Sequence, residues 1–74
     1  MAKVKITGWE YGLRKVELSK LQMSMIALPL KESKKNVDKI LDGHEVIIEV
    51  TSQELAREFV EEVRRLGARG HLMD

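Results

Sequence analysis

The chain has 74 residues, of which 34% are charged, with no cysteine and a formal net charge of +1. At that length it is a single domain, residues 1–74, and its stability margin is thin, because so short a chain buries only roughly 60% of its unfolded surface. The composition excludes a disulfide framework, a thiolate metal site and a membrane span of roughly 18–20 apolar residues; the N-terminal MAKVKITG has no apolar stretch of signal-peptide length, so the expected location is cytoplasmic.

Lys3 to Thr7 alternates polar and apolar residues, the period of a half-buried strand. Gly8 to Gly12 (GWEYG) reads as a turn or a strand extension. A helix follows from about Lys15 to Ile26. Pro29 ends it, since proline lacks the N–H and clashes with the preceding turn, and the same proline suits the first turn of a second helix. That helix runs to about Leu41, with Leu30, Val37, Ile40 and Leu41 on one face, and Asp42-Gly43 closes it. Glu45 to Val50 is rich in β-branched residues and reads as a strand. Thr51-Ser52-Gln53-Glu54 has the form of a capping box, Thr51 capping, Ser52 in the first turn and Glu54 reaching back. The third helix carries a stripe of Leu55, Phe59, Val63 and Leu66, filled by Ala56 and Val60, and stops at Gly67; Gly70 to Met73 forms a short last strand.

The order β-α-α-β-α-β predicts an α+β fold. It is a two-layer sandwich, a three-stranded sheet covered on one face by three helices. A right-handed final crossover makes the second and third strands parallel, with the first strand between them and antiparallel to both. The chain shows no repeat, linker or low-complexity tract.

The stretch from Lys15 to Val37 is the most informative. At about 100° per residue, Leu18, Leu21, Met25 and Leu28 share one side of the first helix and suit a core. Val16, Met23 and Ala27 fall on the opposite side, beside Lys15, Ser19 and Lys20. A small domain has one core to fill, so this second face reads as a docking surface edged with positive charge. A homodimer burying Val16 and Met23 is the competing explanation. Residues 1–35 carry a net charge of +5 and residues 36–74 a net charge of −4. That asymmetry describes either a basic surface steering acidic partners, protein or nucleic acid, or ordinary solvated helix faces.

Reaction chemistry is sparse, and the chain reads as a non-enzyme with no cofactor and no metal. His44 and His71 lack a second ligand-type residue at helical spacing; a polar turn accounts for the first and a strand surface for the second. Ser19, Ser24, Ser33 and Ser52 each have a helical explanation, no glycine-rich phosphate loop occurs, and Glu61–Glu62 reads as a solvated helix face. Trp9 and Tyr11 carry an alternative. If the first strand continues through Gly8 without a bulge, both rings share the helix-free face with Lys3 and Lys5. Aromatics among basic residues on an open sheet stack nucleobases, which makes RNA binding through Lys3, Lys5, Trp9 and Tyr11 the second reading. A protein anchor is the third. A bulge at Gly8 would instead turn Trp9 into the core.

Lys15-Val16-x-x-x-Lys20, Leu30-Lys31-Glu32-Ser33-Lys34-x-x-Val37 and Glu61-Glu62-x-x-x-Leu66-Gly67-Ala68, in this order and spacing, resemble the C-terminal domain of the bacterial ribosomal stalk protein. The resemblance covers nearly the whole chain and implies the same β-α-α-β-α-β fold. In that family the first two helices dock translation factors. The resemblance therefore implies a partner that is a translation factor or ribosome component, with Lys15, Val16, Lys20 and Lys34 at matching positions. The family's docking isoleucine is Ser19 here, its following arginine is Met23, and its glycine-rich turn is Ala27-Leu28-Pro29. The stalk's dimerisation region and hinge do not occur in these 74 residues, which points to a stand-alone relative or a fragment. The adaptor that delivers substrates to the Clp protease is similar in fold, but its acidic entry motif and histidine-bearing pocket segment have no counterpart here.

Overall fold

The computed structural model describes residues 1–73. The elements are β1 (Ala2–Trp9), α1 (Lys15–Ile26), α2 (Leu30–Leu41), β2 (Val46–Val50), α3 (Gln53–Arg65) and β3 (Ala68–Met73). The sheet order is β2-β1-β3, with β1 antiparallel to both neighbours. This is the three-stranded α+β architecture that the hydrophobic periods predict.

Strand alternation divides the sheet into two faces. Ala2, Val4, Ile6, Val46, Ile48, Val50 and Ala68 are buried under the helices, while Lys3, Ile47, Glu49, Arg69 and His71 face outward. Three residues drive the helix-on-sheet packing from the other side: Leu18 of α1, Ile40 of α2 and Phe59 of α3, all 0% exposed. Phe59 is the largest of the fully buried side chains. Truncating such a residue to alanine costs roughly 3–5 kcal/mol, comparable to the whole stability of a domain this small.

The helix ends depart from expectation in three places. Pro29 is extended (φ −61°, ψ 152°) and stands just before α2, outside its first turn. Leu30, expected in the core stripe, is 52% exposed because it stands at the first position of α2, before the helix's first buried residue, Ser33. The cap of α3 is Ser52, one residue later than expected. Its carbonyl accepts the first helical bond, from Ala56 N–H (3.0 Å), and its hydroxyl accepts from Leu55 N–H (3.1 Å). That arrangement satisfies an otherwise orphaned donor and leaves Thr51 outside the helix.

The other ends follow the glycines. At α2, His44 N–H reaches Lys39 O (2.9 Å) and Gly43 N–H reaches Ile40 O (3.1 Å), a complete Schellman closure. At α3, Gly67 has φ +98°, and a Cβ there would lie 3.0 Å from Leu13 Cα. The bare backbone lets the β1–α1 loop dock: Glu10 N–H bonds Gly67 O (2.8 Å) and Arg14 N–H bonds Leu66 O (2.9 Å). These bonds fix where α1 starts, and so place the candidate site.

Candidate functional site

A three-residue connection sends α2 back alongside α1. Gln22 holds the pair together. It is fully buried, on the side of α1 that also carries Leu18. Its Nε2 donates to its own helix at Leu18 O (3.2 Å) and across to Ser33 O of α2 (3.3 Å), and its Oε1 accepts from Asn36 Nδ2 (2.9 Å). A buried amide with every group bonded acts as a fixed clamp between two helices. Sequence periodicity missed it, because a polar residue in a core position reads as a break in the stripe. The available signal was its position four residues after Leu18 and three before Met25.

Toward the α1 N-terminus from the clamp, a groove of about 240 Å³ lies between the two helices. Lys15, Val16 and Ser19 line it from α1, and Lys34, Val37, Asp38 and Leu41 from α2. Four sequence-selected residues, Lys15, Val16, Ser19 and Lys34, are thus brought together. Lys20 and Met23 lie outside the lining, on the outer surface of α1. Val16 is 65% exposed and Met23 37% exposed, so the second apolar face of α1 does point outward. On α2, Leu30, four residues before Lys34, is 52% exposed and lies outside the groove lining. It joins Val37, Asp38 and Leu41 as site residues that sequence reasoning did not select.

The electrostatics follow composition. From Lys15 to Leu41 there are six lysines and three acids, and all six lysines are exposed. Asp38 is the one acid in the groove lining. The groove therefore brings the apolar side chains of Val16, Val37 and Leu41 together with Lys15, Lys34 and a single acid, Asp38.

The alternative constellation on the sheet is not assembled. Between Ile6 and Gly8, β1 carries one residue more than β3, so Thr7 and Gly8 both stand against Arg69 and Trp9 falls opposite Ala68. This bulge reverses the alternation and moves Trp9 off the face that holds Lys3 and Lys5. Trp9 remains 41% exposed at the rim, so it is neither a core residue nor a partner of the two lysines. Tyr11 lies in the following turn and is fully exposed. Lys5 pairs with Glu45 (3.1 Å), and Lys3 stands opposite Glu49. The open sheet thus carries neither an aromatic platform nor an uncompensated basic stripe.

His44 is exposed beyond the end of α2, and His71 lies on the outer face of β3. Among the described residues, no cluster of three or more His, Cys, Asp or Glu has the arrangement of a metal site, and no helix is long and apolar enough to cross a membrane. No protein-family model, curated protein or solved structure matches the chain.

Proposed function

We propose that this chain is a non-enzymatic protein-interaction module that docks a partner on the α1–α2 surface. The observation that carries the reading is Val16. It is a β-branched apolar residue, 65% exposed, at the edge of an apolar groove and flanked by lysines, on a helix whose other side is packed. Val16, Met23 and Leu30 act as apolar anchors. Lys15, Lys20 and Lys34 steer an acidic partner surface, raising its on-rate and making binding salt-dependent. The resemblance to the ribosomal stalk C-terminal domain favours a translation GTPase or another ribosome-associated factor as the partner.

The size of the module sets the strength. A standard interface takes about 800 Å² from each partner, about a sixth of the 4995 Å² of this surface. Three scattered anchors around a shallow groove suit a transient complex at the low end of that range. Affinity capture with the wild-type chain and with Val16→Asp tests the proposal. The aspartate stands on an exposed position, so circular dichroism and melting temperature stay unchanged while the captured partner is lost. Capture of the same proteins by both chains would refute it.

A further inference from the structure

We infer that the free edge of β2 accepts an extended basic peptide as a fourth strand. The two edges of the sheet are treated differently. On β3, Arg64 Nε donates to the Gly70 carbonyl (3.0 Å), so that carbonyl points away from β1 and is already bonded. A strand approaching β3 meets an arginine side chain where it needs an acceptor, a standard way of closing an edge. Among the described residues, no side chain hydrogen-bonds to the β2 backbone.

The same bond fixes the parity of the sheet. Ile6 stands opposite Gly70 on one side and Val46 on the other. Antiparallel pairs alternate between bonded and non-bonded. With Gly70 turned outward, Ile6 directs its N–H and C=O toward Val46. Ile47 and Glu49 then direct theirs to the free edge, where a new strand needs them.

Side chains beside that edge define the occupant. On the open face, Ile47 is 54% exposed between Glu45 and Glu49. The end of β2 opens into a cavity of about 170 Å³ lined by Met25, Ile26, Ala27, Val50 and Leu55 together with the polar Glu49 and Thr51. An added strand alternates its side chains between the two faces of the sheet. Basic residues on its outward positions meet Glu49, which makes no ion pair among the described residues, and join Lys5 on the Glu45 carboxylate, and an apolar residue on an inward position enters the cavity. β1 already satisfies β2 with this pattern from the other side: Lys3 opposes Glu49, Lys5 reaches Glu45, and Val4 and Ile6 turn inward. A second copy of β2 is a poor occupant, because antiparallel pairing centred on Ile47 sets Glu45 against Glu49 twice, and like charges directly opposite destabilise a pair.

The test uses the full chain and two labelled six-residue peptides: one copies Ala2–Thr7, and the other replaces both of its lysines by glutamate. We expect the basic peptide to shift the backbone amide resonances of Ile47 and Glu49 and the side-chain resonances of Leu55, while the acidic peptide leaves them in place. Glu49→Lys should weaken the basic peptide by about fivefold, the size of a reversed cross-strand charge pair. Ile47→Pro removes an outward N–H at an edge position where proline is tolerated, and should abolish binding while circular dichroism remains native. If that variant unfolds, Glu49→Lys and the acidic peptide still decide the outcome. Equal binding of both peptides, shifts confined to α1 and α2, no shift at millimolar basic peptide, or a sedimenting dimer broken by Ile47→Pro would each overturn the proposal.

Discussion

The side-chain amide of Gln22 on α1 donates to the backbone carbonyl of Ser33 on α2 at 3.3 Å, and both residues are fully buried. This bond sets the spacing of the two helices and hence the width of the groove beside them. Gln22→Ala should cost about 2–3 kcal/mol, from the lost bonds, a cavity and the unpaired Asn36 amide. Gln22→Met keeps the volume and should cost about 1–2 kcal/mol. Urea unfolding midpoints at constant slope measure both; a Gln22→Met variant as stable as the wild type would show that packing alone joins the helices.

The Ser33 hydroxyl presents the opposite case. Its oxygen is buried with no hydrogen-bond partner among the described residues, although the backbone carbonyl of the same residue is bonded. A buried hydroxyl without a partner opposes folding. Ser33→Ala should therefore leave stability unchanged or raise it by up to about 1 kcal/mol, read from the same unfolding curves. A loss above that size would assign the hydroxyl a structural role.

Ala27 ends α1 in the left-handed region, with φ 57° and ψ 30°. Gln22 O accepts both the Ala27 N–H and the Leu28 N–H, which holds that conformation. Glycine relieves the Cβ strain but loosens the unfolded chain. The strain relief is the larger effect at a helix end of this kind, so Ala27→Gly should stabilise the domain by about 0.5–1 kcal/mol. A thermal melt that moves downward would contradict this.

Gly67 combines a φ of +98° with a 3.0 Å approach to Leu13 by any added Cβ. Gly67→Ala must strain its backbone and displace the loop that carries Glu10 and Arg14. We predict a loss of about 2 kcal/mol or more, together with faster amide exchange at Glu10 and Arg14, whose N–H groups bond to this turn. Native-state hydrogen exchange checks the second effect separately from the first.

The element order was readable because the segments carry distinct signals: period two for Lys3–Thr7, a β-branched run for Glu45–Val50, and helical spacing for the Leu55–Leu66 stripe. The outward face of α1 was readable for a related reason. Val16 and Met23 lie opposite Leu18 and Met25, and a two-layer domain has no second core to receive them. What escaped the sequence depends on partners distant along the chain. The bulge that turns Trp9 away from Lys5 exists only in register against Arg69. The burial of Gln22 requires Ser33 and Asn36 beside it. Ser52 takes the cap from Thr51 by local geometry, and both residues are competent caps by type. Leu30 keeps the spacing of the α2 stripe yet is exposed at the helix's first position, and periodicity within the helix does not encode what packs against its first turn.

We propose that a partner binds the lysine-bordered apolar surface of α1 and α2. Site-specific photo-cross-linking in the native cell reads it directly, with the photoreactive residue placed at exposed Lys20 or, for comparison, at exposed Glu58 on α3. We expect a discrete adduct from position 20, absent from position 58 and lost when Val16→Asp is added. Adducts of equal yield from both positions, or an adduct from position 20 that survives Val16→Asp, would contradict it.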